Sequence, residues 1–476
     1  MKVLYITSEA VPFAASGGLA DVAGSLPREI RNRLVGCRVV MPLYDCVPQE
    51  LRDNMKFIAS LSVPVSWRRQ YCGIFEAKYN GVIYYLLDNQ YYFKREGLYG
   101  HYDDAERFAF FSRAALEILK YVDYQPDILH ANDWQSALVP IFHSLFYVHD
   151  PFYLSMKTVF TIHNIAYQGQ YGMEILGDVF GLPESAAPIV ELGGCINLMK
   201  GAIETAHHVT TVSPTYAQEL LDPWFAKGMD GILRERSWKL SGILNGIDTE
   251  RYDPQNDSCI AAPYSADDFK GKARCKAALQ EELGLPVSPD TPIIGLVTRL
   301  VAHKGIDLVQ YILDRLLSEQ DVQFVMLGSG DWAFENFFRY AQERFPDKMR
   351  YCSGFVPDLA RRIYAGADIF LMPSQSEPCG LAQMVACRYG TVPVVRETGG
   401  LKDSIRDCSD GYGNGFTFQS YNADDMLYAI NRAIGAYRNE KDWPLLVERA
   451  LRCDFSWGRS ANEYVKLYRS LLKEGA

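Results

Sequence analysis

The sequence lacks closely spaced cysteine pairs. Its eleven cysteines are scattered from Cys37 to Cys453, and none of them form a C-x-x-C pattern. Disulfide-rich domains and structural zinc sites both depend on closely spaced cysteines. An odd number of scattered cysteines instead indicates reduced, buried thiols. We therefore expect a cytoplasmic protein without a disulfide framework and without a metal site.

Long apolar runs and dense basic runs are also missing. The N-terminal stretch MKVLYITSEAVPF is too short in apolar residues for a signal peptide, and Glu9 interrupts it. No other segment is long enough to span a membrane. The formal net charge of -10, without a Lys/Arg cluster, argues against nucleic-acid binding. We expect a soluble intracellular protein that has neither a membrane nor a nucleic-acid partner.

What the sequence does contain is a repeated alternation of strand-like and helix-like segments. In 476 residues, of which 48% are hydrophobic, this alternation predicts an α/β protein with two domains, or three. A polar, turn-rich stretch at residues 245–265 interrupts the alternation, which then resumes. We therefore predict two Rossmann-like domains with parallel sheets that face across a deep cleft. Their expected extents are residues 1–245 and 246–455, with a helix at 456–476 packing back on the first domain.

The most informative stretch covers residues 364–401. A short apolar strand is followed by a loop with one carboxylate, Glu377, and we predict a helix from Gly380 to near Tyr389. The free N–H groups at a helix start can receive an anion, so Glu377 is expected beside a phosphate-sized site. Gly399 and Gly400 in the next loop permit a second close backbone approach. The alternative is a solvated glutamate that complements the helix dipole.

Two other loops follow predicted strands and carry candidate residues. In FAASGGLADV, Gly17 and Gly18 permit a ligand to approach the backbone, although a tight turn would explain them equally well. In VTRLVAHKG, Arg299 and Lys304 offer two cations to a diphosphate, the alternative being a solvated loop.

Polar residues also cluster in HANDWQ and TIHNIAYQG. His163 and Asn164 follow the predicted strand at residues 157–162. A histidine at a strand end is commonly a structural hydrogen-bonding group, and that alternative stays open here. Asp133 has a comparable alternative, because it could cap a helix predicted at residues 135–147.

Taken in order, several segments resemble the bacterial glycogen synthase and plant starch synthase family. They are SGGLADV, REGLYG, DDAERFAFFSRAALE, HANDWQ, TIHNIAYQG, VTTVSPTYA, GILNGID, TRLVAHKG and PSQSEPCGL. The resemblance extends over nearly the whole chain. It implies a GT-B fold and a retaining hexosyltransferase that uses neither a metal nor a cofactor. It also implies glucose transfer from ADP-glucose to the non-reducing end of an α-1,4-glucan.

The family's functional positions can be carried over one residue at a time. Arg299 and Lys304 match the pair that neutralises the diphosphate, and Glu377 matches the carboxylate beside the transferred sugar. His163 matches the residue at the glucose hydroxymethyl group. The acceptor side is matched by three residues, which are Tyr99, Asp133 and Asn164. The remaining matches are to the donor site or its hinge, and they are Ser16, Gly17, Gly18, Asp21, Asn245, Phe355 (stacking on the base), Cys379, Gly380 and Leu381.

Two positions depart from the family pattern. Many members have lysine where this chain has Ala15, and a hydroxyl residue where it has Ala382. One cation expected near the terminal phosphate is therefore missing, and we expect another residue to compensate for it. The departure leaves two alternatives to an active glycogen synthase. One is a weakly active or non-catalytic paralogue that binds glucan or nucleotide, and the other is a same-fold transferase with a different donor or acceptor.

Overall fold

The chain forms two compact α/β units. The computed structural model describes residues 1–473, and its contacts separate Met1–Ile243, together with the C-terminal segment from Trp457, from Leu244–Ser456. Each unit contains its own sheet, which is mainly parallel in the first unit and parallel in the second, and its own hydrophobic core. No helix among the described residues combines the length and the apolar character that crossing a bilayer requires.

The first unit contains a nine-stranded sheet. Its strand order is β12-β11-β7-β6-β1-β2-β5-β4-β3, parallel from β12 to β5 and antiparallel from β5 to β3, and a second small sheet has the order β8-β10-β9. The strands are β1 (Lys2–Ile6), β2 (Gly36–Pro42), β3 (Lys56–Val65), β4 (Arg68–Tyr79), β5 (Val82–Asp88), β6 (Ile128–Asn132), β7 (Lys157–Ile162), β8 (Gln170–Tyr171), β9 (Glu191–Leu192), β10 (Cys195–Asn197), β11 (His208–Thr211) and β12 (Leu240–Gly242).

Helices cover this sheet and leave its central strands without solvent contact. In β1, the four residues from Val3 to Ile6 are all fully buried, as expected for a parallel strand packed on both faces. The helices are α1 (Gly18–Arg31), α2 (Gln49–Asp53), α3 (Gln90–Phe93), α4 (Asp104–Glu117), α5 (Leu138–Phe142), α6 (Ile175–Asp178), α7 (Ala187–Val190), α8 (Leu198–Thr205), α9 (Pro214–Glu219), α10 (Pro223–Ala226) and α11 (Asp230–Glu235), with 3-10 turns at Ile118–Lys120, Trp134–Ser136, Glu184–Ala186 and Ser237–Lys239 and a π-helical turn at His143–Tyr147.

The second unit contains a six-stranded parallel sheet. The strand order, β15-β14-β13-β16-β17-β18, is that of a dinucleotide-binding Rossmann fold. Its elements are α12 (Lys270–Glu282), β13 (Ile293–Val297), α13 (Ile306–Glu319), β14 (Gln323–Gly328), α14 (Trp332–Arg344), β15 (Met349–Ser353), α15 (Pro357–Gly366), β16 (Ile369–Met372), α16 (Ala382–Arg388), β17 (Val392–Arg396), α17 (Gly399–Ser404), β18 (Phe416–Phe418), α18 (Ala423–Tyr437) and α19 (Trp443–Leu451), with 3-10 turns at Ala302–Lys304 and Cys408–Asp410.

The last described helix, α20 (Trp457–Lys473), belongs to the first unit. Its buried residues recur every three or four positions, so one face of the helix is apolar. That face packs on α1, and just after the end of α1 the Arg33 guanidinium donates to the Gly458 carbonyl at 2.6 Å. The Tyr468 hydroxyl lies 2.7 Å from Nδ1 of His130, inside the sheet.

In both units the strand order reverses at one pair of neighbouring strands of the sheet, so that later strands are added on the opposite side of the first strand. In the first unit β1 lies between β2 and β6, and in the second unit β13 lies between β14 and β16. Loops that follow such a pair diverge, which leaves a crevice at the carboxyl edge of the sheet, and ligands of open α/β sheets bind there. Glu9 and Asp133 follow β1 and β6, while Lys304 and Glu377 follow β13 and β16.

Candidate active site

In the first unit the loop after β1 is organised by a buried carboxylate. Glu9 is 3% exposed, and its Oε2 accepts hydrogen bonds from the Ser16 backbone N–H at 2.6 Å and the Ser16 hydroxyl at 2.7 Å. Burial raises the pKa of Glu9, against the opposite effect of the Ser16 hydrogen bonds. Asp21, in the first turn of α1, adds a like charge that raises it further. Glu9 therefore fixes the loop that carries Ser16.

Gly17 and Gly18 are not explained by a tight turn. Gly17 has a φ of -167°, which is extended backbone open to any residue. A Cβ built on Gly17 would lie 4.0 Å from Glu9 Oε1, and one on Gly18 would meet nothing within 4 Å. Residues 15–18 are all exposed. Because the protein's own atoms would accept larger residues here, the pair leaves backbone open to a ligand.

Tyr99 reaches the same loop from a distant part of the chain. Its hydroxyl lies 2.7 Å from the Ser8 hydroxyl, and its ring packs on Phe108 with centroids 5.9 Å apart. Burial raises the pKa of Tyr99 well above its usual value. The phenol is therefore neutral and available as a hydrogen-bonding group beside Ser16.

Asp133 adopts a backbone conformation that explains its carboxylate position. Its φ of 56° lies in the left-handed region, and its side chain makes no capping hydrogen bond to the turn that follows. The helix-cap alternative for Asp133 is therefore wrong. Instead, Oδ1 accepts the backbone N–H of His163 at 2.7 Å. Burial raises the pKa of Asp133 to about 7, although hydrogen bonds from the backbone N–H groups of His163 and Asn164 act to lower it.

The His163 ring is held by its neighbour in the sheet. Its Nε2 lies 2.9 Å from Oδ1 of Asn132, the last residue of β6. Burial lowers the pKa of His163 to about 3, so the imidazole is neutral near pH 7. Next to it, Asn164 Oδ1 accepts the Ala166 N–H at 2.9 Å. His163 and Asn164 thus each have a hydrogen-bond partner within the protein. The other ring nitrogen of His163, Nδ1, is left for a further partner.

In the second unit Lys304 and Glu377 form a largely buried ion pair. Lys304 Nζ lies 2.6 Å from Glu377 Oε2, which also accepts the Ser374 hydroxyl at 3.0 Å. The side chains are only 17% and 9% exposed. The alternative of a solvated glutamate is therefore wrong. An ammonium group and a carboxylate in contact at a switch point can act on a phosphate and on a developing cation, respectively.

Glycines fix the loops that carry this pair. Gly305, at a φ of 74°, packs so tightly that a Cβ would lie 2.1 Å from the Pro373 carbonyl oxygen. Below the second loop, a Cβ on Gly399 would lie 2.0 Å from the Glu377 carbonyl oxygen, and one on Gly400 2.0 Å from that of Cys379. The close approach predicted at the glycine pair is thus to the protein's own Glu377 loop.

The helix predicted to open at Gly380 begins two residues later. Gly380 has a φ of 69°, which is incompatible with a right-handed helix, and α16 starts at Ala382 after Leu381. Gln383 holds the loop by donating from Nε2 to the carbonyls of Cys379 at 3.1 Å and Gly380 at 2.9 Å. The predicted helix start is thus corrected by two residues.

The remaining predicted residues of the second unit differ in exposure. Cys379 is buried, and burial raises the pKa of its thiol to about 12, against a backbone hydrogen bond from Asn245. The thiol is therefore protonated and packs as a small apolar group. Arg299, after β13, is exposed, and Phe355, after β15, is 91% exposed. Both extend from the carboxyl edge that also carries Lys304.

Sequence reasoning missed three residues that organise the site. In the sequence Glu9 only interrupts an apolar run, but in the structure it holds Ser16. Asn132, which contacts His163, and Ser374, which contacts Glu377, were not singled out. All three are polar residues at or just after a buried strand, and that placement is the signal that could have found them. Among residues 1–473, no group of three or more histidine, cysteine or acidic side chains could hold a metal ion.

Two Rossmann-like units, each with candidate residues at the switch point of its own sheet, define a glycosyltransferase of the GT-B class. A family model for the starch synthase catalytic domain matches residues 2–235, and one for group 1 glycosyl transferases matches residues 283–443. The glycogen synthase of Geobacillus thermodenitrificans is 50% identical over 478 residues, covering 100% of this chain and 98% of the relative. That of Clostridium perfringens is 47% identical, with 99% of each chain covered.

Solved structures agree. The catalytic domain of starch synthase IV from Arabidopsis thaliana, bound to ADP and acarbose, matches with a TM-score of 0.91 and 36% identity over 99% of each chain. A sucrose-phosphate synthase from Thermosynechococcus elongatus shares the fold, with a TM-score of 0.61 and 17% identity over 99% of each chain. The chain belongs to the glycogen synthase and starch synthase family. The resemblance found in the sequence and the α/β fold class are confirmed.

Proposed function

We propose that this protein transfers glucose from ADP-glucose to the non-reducing end of an α-1,4-glucan, with retention of the anomeric configuration. The observation that carries the proposal is the buried Lys304–Glu377 pair at the switch point of the second unit. It combines, 2.6 Å apart, the cation that a diphosphate needs and the carboxylate that a cationic sugar needs. The family relationship supplies the substrate class.

The donor phosphates are assigned to Lys304 and Arg299. An ammonium group has three N–H donors, so Lys304 can contact a phosphate oxygen while one N–H stays on Glu377. Arg299 adds a planar fork that suits two phosphate oxygens. Phe355 provides an exposed aromatic face for the nucleobase. Cys379, Gly380, Leu381 and Asn245 are assigned to the wall of the same site.

In the reaction, the bond between the anomeric carbon and the phosphate oxygen breaks and leaves ADP with an added negative charge. The sugar becomes cationic, and Glu377 stabilises that charge while Lys304 and Arg299 stabilise the leaving group. The acceptor's 4-hydroxyl oxygen forms the new bond on the face from which ADP departs. Its proton passes to the departing phosphate oxygen, so the step needs no metal or cofactor.

Residues of the first unit are assigned to the sugars and to the open backbone of the first loop. His163, neutral near pH 7, contacts a hydroxyl of the transferred glucose without adding a positive charge beside the cationic sugar. Tyr99, Asp133 and Asn164 bind the acceptor glucan. The first loop, with Ser16, Gly17, Gly18 and Asp21, completes donor binding.

One observation favours a second candidate function. The charges beside the first loop belong to Glu9 and Asp21, both acidic, and Ala15 contributes none. A loop without its usual lysine is compatible with a paralogue that binds glucan or nucleotide and turns over slowly.

The proposed location is the cytoplasm, in line with eleven free cysteines.

The deciding experiment is incorporation of labelled glucose into glycogen. Purified protein is assayed with ADP-glucose and, in parallel, with UDP-glucose at equal concentration, using Glu377→Gln as the inactive control. Incorporation that depends on Glu377 and prefers ADP-glucose supports the proposal. Binding of ADP and maltooligosaccharide without incorporation would favour the paralogue, and a preference for UDP-glucose would overturn the assigned donor.

A further inference from the structure

The side chain of Asn132 has only one possible orientation. The residue is fully buried, and its Nδ2 lies 3.0 Å from the Ile6 carbonyl oxygen and 3.2 Å from that of His130. Carbonyl oxygens only accept hydrogen bonds, so the amide N–H groups must point to them. The other end of the carboxamide, Oδ1, is therefore an acceptor for whatever lies opposite.

Two groups lie opposite Oδ1, and both must donate. They are the Tyr5 hydroxyl and Nε2 of His163, each at 2.9 Å. Since Oδ1 cannot donate, the hydrogen of the neutral His163 ring is on Nε2. Nδ1 then carries a lone pair, and within residues 1–473 no protein group makes a hydrogen bond to it.

We propose that Asn132 is a positioning residue of the transfer reaction, which fixes the Nε2–H tautomer of His163 and presents Nδ1 as a hydrogen-bond acceptor to a hydroxyl of the donor glucose. The inference rests on the proposed function, because His163 is there assigned to that sugar. Nδ1 as an acceptor orients the sugar hydroxyl and keeps the ring uncharged. A protonated ring would place a positive charge beside the sugar at the moment when the sugar becomes cationic.

The surroundings of His163 agree with a neutral ring. His130, on β6, has a lowered pKa and adds no positive charge at neutral pH. Asp133 contacts the His163 backbone N–H and not its ring, and Glu9 acts on Asp133 from the loop after β1. Tyr5, on β1, has a raised pKa and stays neutral. Asn132 is thus the group that holds the imidazole edge.

The test compares Asn132→Asp with Tyr5→Phe. Asparagine and aspartate have nearly the same shape, but a carboxylate beside Nε2 stabilises the imidazolium and raises the pKa of His163. The oxygen that replaces Nδ2 also loses the hydrogen bonds to the Ile6 and His130 carbonyls, which costs stability. Tyr5→Phe removes the other donor to Oδ1 and leaves the His163 contact in place. Thermal unfolding of both variants identifies any general loss of structure.

The first readout does not depend on activity. In protein labelled with ¹⁵N at histidine, the nitrogen shifts of His163, assigned by its loss in His163→Gln, report the tautomer. We expect a protonated Nε2 and a bare Nδ1 at pH 7 in the native protein and in Tyr5→Phe. In Asn132→Asp we expect an imidazolium that forms at a higher pH. A hydrogen on Nδ1 in the native protein would overturn the proposal, whether or not the protein transfers glucose.

The second readout is the pH dependence of kcat/KM. For Asn132→Asp we expect the acid limb of the profile to move to higher pH by at least one unit, so that the loss relative to the native protein is larger at acidic pH than at pH 8. Tyr5→Phe keeps the native profile. A folded Asn132→Asp variant with an unshifted profile would refute the positioning role. Absence of transfer in the native protein, with the expected tautomer, would instead count against the proposed function.

Discussion

The charge of Glu377 is balanced by Lys304 and stabilised by a hydrogen bond from the Ser374 hydroxyl, with very little contact to solvent. A single substitution can therefore separate two roles of Glu377, which are to stabilise the cationic sugar and to neutralise Lys304. Replacing the carboxylate by an amide of the same shape keeps a partner for the Ser374 hydroxyl and removes only the negative charge. Lys304 then has no counter-charge in the pair and is left for the donor phosphates.

For Glu377→Gln we therefore expect turnover to fall roughly 100- to 1000-fold, as for loss of a group that acts on developing charge. ADP affinity should stay equal or increase, because the cation is no longer neutralised. Glucose incorporation and calorimetric titration with ADP measure the two quantities. Ser374→Ala, which leaves the ion pair intact, serves as the control. Turnover within about threefold of native in Glu377→Gln would refute the assigned role.

The Asp133 carboxyl group is buried, and burial disfavours its charged form. Its pKa of about 7 in the folded protein is above the usual value, so the folded state binds a proton more tightly than the unfolded state. Stability attributable to this group is therefore present at low pH and is lost as the pH rises from about 4 to 7. An asparagine keeps an oxygen for the His163 N–H and never becomes charged.

We expect Asp133→Asn to raise the free energy of unfolding by about 1–3 kcal/mol at pH 8 and by about half of that or less at pH 5. Urea unfolding at the two pH values measures the difference. Transfer activity should fall, since Asp133 is assigned to the acceptor. An equal stability change at both pH values would show that the carboxylate charge is not the cause.

Ala15 tests whether the missing lysine limits the reaction. Residues 15–18 are exposed, so a lysine has room at this position. Because Lys304 and Arg299 already provide two cations for the diphosphate, we expect Ala15→Lys to raise kcat/KM for ADP-glucose by less than about tenfold. Ala15→Gln controls for side-chain length. A larger gain, equivalent to more than about 1.4 kcal/mol, would contradict compensation and show that the lysine is missed.

At the scale of elements, the loop that carries Glu377 depends on the next loop beneath it. Gly399 has a φ of 43°, and a Cβ there would lie 2.0 Å from the Glu377 carbonyl oxygen. Both facts penalise any larger residue. By contrast, Gly435, inside α18, has nothing within 4 Å of a Cβ position.

We expect Gly399→Ala to destabilise the protein by about 2 kcal/mol or more and to displace Glu377, with loss of most transfer activity. Gly435→Ala should leave activity unchanged and raise stability by up to about 1 kcal/mol, since alanine is the better helix former. Chemical unfolding and glucose incorporation are measured on both variants. Native activity in Gly399→Ala would show that the loop tolerates a shift at this point.

Elements were predictable from the sequence where apolar runs are continuous. Apolar runs at residues 157–162, 293–297, 349–353 and 369–372 predict strands, and β7, β13, β15 and β16 have those bounds. Tyrosine-rich alternation over residues 57–87 predicts antiparallel hairpins at a sheet edge, and β3, β4 and β5 form them. The pattern over residues 19–34 predicts a helix that is broken or bent at Pro27. The helix is α1, which ends at Arg31 and is not broken, because it continues through Pro27. Strand β18 was missed because three residues are too few for a pattern.

The site was less predictable because its geometry depends on contacts between distant residues. Lys304 and Glu377 were each recognised, but nothing local shows that they touch across 73 positions of sequence. The left-handed backbone of Asp133 arises because its carboxylate reaches the His163 N–H in the next strand's loop. The prediction that a helix starts at Gly380 was wrong for a local reason. Glycine can adopt a positive φ, which is incompatible with a right-handed helix.

At the scale of the whole molecule, the two units differ in their histidines. Seven of the eight histidines lie in the first unit, and only His303 lies in the second. Burial lowers the pKa of His130 and His163 to about 3 and that of His207 and His208 to about 4. These groups are neutral in the fold and become charged on unfolding at mildly acidic pH.

The sign of the effect follows from the direction of these shifts. When the folded pKa is below the unfolded value of about 6.5, the unfolded state binds more protons, so stability is full above pH 6.5 and falls as the pH decreases. Each such group removes up to about 1.4 kcal/mol per pH unit between its two pKa values. Asp133, Glu9 and Asp88 act in the opposite direction, because burial raises their pKa values, but the five histidines with lowered pKa values, His143 included, outnumber them.

We therefore expect the first unit to unfold at a higher pH than the second as the solution is acidified from pH 7.5 to 4.5. Hydrogen exchange, followed by peptides from residues 1–243 and 244–456, distinguishes the two units within one sample. His207→Gln, which removes a titrating group, should move the first unit's transition to lower pH, and Tyr428→Phe, at an exposed position of α18, should move neither. Loss of protection in the second unit first would mean that its carboxylates, such as Asp407 with its lowered pKa, dominate acid unfolding instead.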